Sequence, residues 1–173
     1  MFREYVVGIS ENYIEYRYHI DALKNDSGYK KQVLKIREIV RQRQLASCMS
    51  DSKWIKLLDA MNNLDFPPAF LLKRLQDQID QSAEQQFTNT VPWYFGNWQP
   101  FYQEGMPIFK TIEYLIVKPM LRQHQGRLIA DKIFDQTDQF AILLAQLNVI
   151  YEERHRCFKI YGYRHLNENI PSE

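Results

Sequence analysis

Four side chains have the chemistry to act on a substrate or a metal: Glu113 in FKTIEYLIVK, and His155, Cys157 and Tyr161 in HRCFKIY. His155 and Cys157 stand two apart, so on a strand they share a face, as two metal ligands could. Structural zinc takes four ligands, and no second Cys/His pair at metal spacing occurs. An exposed turn histidine beside a buried thiol is the simpler reading. Carboxylates at Asp131, Asp135, Asp138, Glu152 and Glu153 would have to converge on a cation to build a metal-dependent nuclease. No Glu-x-Lys supplies the usual companion lysine, and Asp135 and Asp138 suit the start of a helix, where negative charge is favoured. Glu113 differs, because it interrupts a run that is apolar on both faces. Buried there, it needs a partner, and a structural hydrogen bond is a simpler account than acid–base duty. No Gly-rich phosphate loop, Ser nucleophile elbow or His-Glu-x-x-His is present. An enzyme built on Glu113, His155 and Tyr161 therefore ranks last among the functional readings, and no catalytic, cofactor or metal residue is assigned.

Binding chemistry is better represented. Lys30, Lys31, Lys35, Arg37, Arg41 and Arg43 lie on one helical stretch against a single Glu38. Such a face could grip phosphates or steer an acidic protein surface. Charge runs on helices are usually solvated, and a net charge of +1 argues against a surface built throughout for nucleic acid. The block Trp93–Tyr102, WYFGNWQPFY, puts six aromatics into ten residues. It could anchor a partner, stack bases, or close the edge of a sheet. Trp93 and Trp98 are expected inside, Tyr94 and Tyr102 outside. The candidate partner-binding residues are thus Lys35, Arg37, Arg41, Arg43, Tyr94 and Tyr102.

Tyr5–Ile9 and Tyr13–Ile20 are the first apolar runs, and the second is expected as a strand. In the second, Ile14, Tyr16, Tyr18 and Ile20 alternate with polar residues, although Tyr13, Tyr16, Ile20 and Leu23 would also make a helical stripe. Lys30–Ser47 reads as a helix with Val33, Ile36 and Val40 inward. Asp51 or Ser52 caps a second helix, where Trp54, Leu57, Leu58 and Met61 recur at helical spacing. After Pro67-Pro68, Ala69–Leu75 suits either a helix or a strand, and residues 78–91 a loop or frayed helix. Phe109–Lys118 is the strongest expected strand, with Ile112, Tyr114 and Ile116 on one face and Glu113, Leu115 and Val117 on the other.

The stretch Ile133–Tyr163 organises the rest: one helix feeding two strands. Thr137 is the expected cap, Phe140, Leu143, Leu144 and Leu147 form the apolar stripe, and Asn148 ends the helix. Val149–Glu152 and Cys157–Tyr163 then follow as strands joined by a polar turn. Strands and helices interspersed in this way define an α+β domain, a largely antiparallel sheet with helices packed on one face. At 173 residues, 45% hydrophobic and 14% aromatic, the chain fits one globular domain with a substantial core, and residues 164–173 form a mobile tail.

Two cysteines, Cys48 and Cys157, are too few for a disulfide framework; a single bridge is possible from sequence and free thiols are simpler. No apolar run approaches the ~20 residues that span a bilayer, and the N-terminus is not a secretory signal. A soluble cytoplasmic protein is the expectation.

The segments SDSKWIKLLDAMNNLDFPP, WYFGNW, FKTIEYLIVKP and IFDQTDQFAILLAQLNVIYEERHRCFKIYGY together resemble a family of small uncharacterised bacterial single-domain proteins found near polymorphic toxin–immunity loci. The resemblance runs over roughly Asp51–Tyr163, leaves residues 1–47 outside, and tips Ala69–Leu75 towards strand. It implies a cytoplasmic protein-binding domain, in particular an immunity protein neutralising a toxin, and supplies no catalytic residue. A nucleic-acid-binding module using the basic helix is the alternative; no cofactor and no membrane partner are expected.

Overall fold

The computed structural model describes residues 11–96, 98 and 107–167. Tyr5–Ile9 and Tyr102 lie outside them.

Helix α1 spans Glu11–Leu23, where alternation favoured a strand. Tyr16 and Ile20, one helical turn apart, are buried, while Ile14 and Tyr18, which a strand would have placed beside them, are exposed. Tertiary contact decides the matter: Tyr16 stacks on Phe109 with ring centroids 4.3 Å apart, and its hydroxyl accepts the Phe109 N–H at 3.2 Å. Helix α2 spans Ser27–Gln42, with Asp26 capping it by accepting the Tyr29 N–H at 2.7 Å. It stops well short of Ser47. Gln44 takes a positive φ of 51°, and Leu45–Ser47 becomes strand β1. Helix α3 covers Asp51–Asn62, capped by Ser50 rather than by Asp51 or Ser52. Its expected stripe of Trp54, Leu57, Leu58 and Met61 is buried.

Strand β2 is Ala69–Arg74, and the polar segment after it holds a helix, α4, Gln81–Asn89, capped by Asp80. The strand expected from Phe109 starts three residues later: Phe109–Thr111 is a 3-10 turn that leads into β3, Ile112–Lys118, all of whose residues are buried. Then come β4 (Met120–Gln123) and β5 (Lys132–Asp135). Helix α5 covers Thr137–Gln146, and β6 (Tyr151–Arg154), β7 (Cys157–Tyr161) and β8 (Tyr163–His165) follow it. Thr137 is the first residue of α5 and not its cap; Asp135 accepts both its N–H and its hydroxyl. Asn148 does take the left-handed conformation, φ 49°. The β6–β7 turn places both His155 and Arg156 at positive φ, the pattern of a two-residue hairpin.

Among the described residues every strand pairing is antiparallel. The main sheet runs β2-β3-β7-β6, and β4–β5 and β1–β8 form two ribbons. Arg164 and His165, expected in a mobile tail, pair with Ala46 and Leu45. The run Cys157–Tyr163 is therefore two strands broken at Gly162.

Helices α1, α3 and α5 cover the first face of the sheet. Tyr16, Trp54, Leu58, Phe140 and Leu144 meet Leu115, Val117, Phe158 and Ile160 there, and Phe140 stands edge-on to Phe158 at 4.9 Å. Helix α2 packs beside the sheet through Ile36 on Leu45 and Leu75. Helix α4 lies over the second face, with Phe87 against Tyr114, Ile116 and Cys157.

Ile112 departs from its expected face. The pairing steps from Lys73–Tyr114 to Arg74–Ile112, so Glu113 is the extra residue of a β-bulge. Ile112 thereby joins Leu115 and Val117 in the main core, and Glu113 is re-aimed, as bulges do.

Candidate functional site

The second face of the main sheet gathers charge that the sequence scatters. Cross-strand partners share a face. One row is Lys73, Tyr114 and Tyr161; the next is Leu71, Ile116, Lys159 and Glu152. In the third, Arg154 pairs with Cys157 and Ala69 with Lys118, and the register brings Lys118 level with Cys157. Each strand thus contributes one cation to this face: Lys73, Lys118, Lys159 and Arg154.

Two of these cations are neutralised or tied down by the fold. Lys73 donates to Glu113 at 2.5 Å, and Arg43 reaches the same carboxylate with both Nη atoms, at 3.0 and 2.5 Å. Burial alone would push the Glu113 carboxyl up, but the bonds from Arg43 and Lys73 outweigh it and hold it below the usual range. The partner that a buried Glu113 requires is therefore present. Lys118, 5% exposed, donates to the Thr88 carbonyl on α4 and forms no ion pair among the described residues. Tyr114, alongside, donates its hydroxyl to Glu84; burial first, then that carboxylate, raises the phenol above its ordinary value.

Lys159 and Arg154 border open space. A cleft of about 330 Å³ lies between Thr88 of α4 and the β6–β7 hairpin, with Ile116 and Cys157 lining it and His155 at its margin. Lys159 Nζ sits 3.9 Å from the Tyr114 ring centroid and 5.5 Å from that of Tyr161. Glu152 stands opposite Lys159, yet turns to Arg164 and Arg154 at 3.7 and 3.9 Å.

The residues singled out for catalysis are kept apart. Tyr161 pairs with Tyr114 beside the bulge, whereas His155 occupies the turn before β7. The extended strand Cys157–Tyr161 lies between them, roughly 13 Å at the rise of a strand. Cys157 is buried and Cys48 half-buried, both as free thiols. Burial raises the Cys157 pKa, against the nearby charge of Lys118. Among the described residues no cluster of three or more His, Cys, Asp or Glu could hold a metal ion.

The partner-binding candidates fall into two groups. Lys35 and Arg37 are exposed on α2. Arg41 is bonded to Glu38, and Arg43 is the bridge to Glu113. Tyr94 lies elsewhere, in an exposed aromatic triplet with Trp93 and Phe95, which are 64%, 56% and 54% exposed. Trp93, expected inside, is thus a surface residue, with the Arg122 guanidinium 5.1 Å from its ring. Trp98 alone took the expected interior position, 1% exposed. Pro68 explains the difference. Its carbonyl accepts the Gly96 N–H at 3.1 Å and the Trp98 indole N–H at 2.7 Å. Trp98 packs on Phe70 at 4.8 Å, and Gly96 passes so close that a Cβ would meet Phe70 Cδ1 at 2.4 Å. The chain is pinned at Gly96 and Trp98, so the triplet before them stands outward. Pro68 precedes β2, whereas Leu75, after β2, meets α2. The two candidate groups are accordingly separated by the length of that strand, roughly 20 Å.

Lys73, Lys118, Lys159 and Arg154 were not singled out from the sequence. The signal was a lysine at the same parity in three apolar strands, AFLLKR, IEYLIVK and CFKIY, legible only with the pairing register in hand.

Residues 36–167 match a family of unknown function, DUF6678, and the chain belongs to that family. No curated protein and no solved structure matches it. The match begins within α2, so it takes in β1 and the β8 ribbon as well as the main sheet. Among the described residues no helix is long and apolar enough to cross a membrane.

Proposed function

We propose that this chain is a protein-binding domain that docks a folded partner on the ridge Trp93–Phe95. The observation that carries this is three consecutive aromatics, each more than half exposed, held outward by a backbone fixed at Pro68. Large rings cost little to hold in one conformation and dominate interface energetics, and contiguous exposed apolar surface marks interaction sites. Ile133, the cross-strand partner of Arg122, is 43% exposed and extends the surface. Arg122 itself favours a partner with an acidic rim.

The specific form of this reading is an immunity protein, the partner being a toxin domain encoded beside it; the resemblance noted above supports that form. The test is co-expression with the C-terminal domain of the neighbouring gene product. Cells should survive only with this chain present, and the two should co-purify one to one. Trp93→Ala and Tyr94→Ala should each weaken the complex by about 2 kcal/mol or more, chiefly through faster dissociation. Equal growth without this chain, failure to co-purify, or a complex indifferent to both substitutions would overturn the proposal.

A further inference from the structure

We infer that the cleft between α4 and the β6–β7 hairpin is a binding site for a small oxyanion, a molecule carrying phosphate or carboxylate groups, held by Lys159 and Arg154. Three observations converge on it. The cleft, about 330 Å³, is at the small end of ligand sites. Its cations are in excess: Lys159 and Arg154 line it, and Glu152 is the one carboxylate among its described lining residues. Moreover, Glu152 does not neutralise the lysine it faces. It leans instead towards Arg164 and Arg154, leaving Lys159 with no ion pair among the described residues, set against the rings of Tyr114 and Tyr161.

That last arrangement is what a waiting anion site requires. A lysine held over aromatic rings loses side-chain freedom before any ligand arrives. Arg154 at the rim is exposed and can close on a ligand bidentately, which suits phosphate and carboxylate alike. Ile116 and Cys157 give an apolar floor, where an ion pair formed on binding is screened less than at the open surface. The site shares no lining residue with the Trp93–Phe95 ridge.

The test uses the full chain, titrated by calorimetry with pyrophosphate, citrate and a nucleoside monophosphate, each at ionic strength matched with sodium chloride. At least one should bind saturably with a dissociation constant below about 1 mM. Pyrophosphate or the nucleotide binding in preference to citrate assigns a phosphate ligand; the reverse assigns a carboxylate. Lys159→Gln and Arg154→Gln should each weaken binding at least tenfold. Arg154 is exposed and its replacement leaves the core untouched, so it serves even if Lys159→Gln disturbs the fold. Lys35→Gln, on α2, should have no effect. Absence of saturable binding by all three probes, or equal loss with Lys35→Gln, would overturn the inference. A single-stranded oligonucleotide that binds more tightly than every small anion and depends on Lys159 would also overturn it, in favour of a nucleic-acid surface.

Discussion

Glu113 and Lys73 form a buried ion pair, 2.5 Å from oxygen to nitrogen, that exists because Glu113 is one residue too many for its strand. The bulge turns its side chain towards Lys73, and Arg43, from just past the end of α2, completes the group. Removing one member of a buried pair leaves the other charged and unsatisfied, which costs about 3 kcal/mol or more. Glu113→Gln should therefore lower the unfolding free energy by about that amount, measured by urea denaturation. The double variant Lys73→Met/Glu113→Leu should be the less destabilised, since Arg43 is partly exposed and can turn to water. Equal stability of Glu113→Gln and the parent chain would show that the pair does not form.

Gly162 is fixed by the same bulge. Its N–H donates to the Glu113 carbonyl and its own carbonyl accepts the Cys48 N–H, both at 2.8 Å. A Cβ there would lie 2.2 Å from the Ile112 carbonyl oxygen, a backbone atom that cannot step aside. Gly162→Ala should cost about 2 kcal/mol or more through forced backbone shifts. Gly96→Ala meets the Phe70 ring at 2.4 Å and should instead loosen the aromatic ridge, read as faster proton exchange of the Trp98 indole.

How far the fold could be read from sequence depended on whether local pattern and tertiary contact agreed. Trp54, Leu57, Leu58 and Met61 sit at helical spacing and are buried at helical spacing, so α3 was legible. So was β3, whose apolar residues leave no polar face for a surface helix. At α1 the patterns disagreed: alternation favoured a strand, and only the stacking of Tyr16 on Phe109, ninety-three residues away, decides for the helix. A bulge leaves no mark in the residue types, so the side that Glu113 and Ile112 take was hidden. The cationic face was hidden for a related reason. Lys73, Lys118 and Lys159 each look like a lone charge in an apolar strand, and a one-residue change of register would part them.

Trp98 offers a test of the anchor that holds the ridge. Its indole N–H donates to the Pro68 carbonyl in a fully buried setting. Trp98→Phe keeps most of the apolar volume and removes the donor, so it should cost about 1–3 kcal/mol. Tyr94→Ala, at an exposed position, should change stability by no more than about 0.5 kcal/mol. A larger effect at Tyr94 would mean that the ridge packs against the chain itself.

Acid should unfold this protein in part through Glu113. Its carboxyl is held below the ordinary range by Arg43 and Lys73 against the cost of burial, so the unfolded chain takes up the proton more readily than the folded one. The stability that this group contributes is fully present above its unfolded pKa, near 4.3. It is lost as pH falls through the lower, folded value. Asp135 acts in the same sense: burial raises its carboxyl, but the bonds from Thr137 and the charge of Arg156 prevail and lower it. Urea midpoints measured from pH 7 down to pH 2.5 should accordingly hold steady and then decline below about pH 4.5. In Glu113→Gln the curve should start lower and decline less, because a titrating group has been removed. A variant whose curve runs parallel to that of the parent chain at every pH would show that the Glu113 carboxyl titrates alike in the folded and unfolded states, and that the bulge leaves it unpaired.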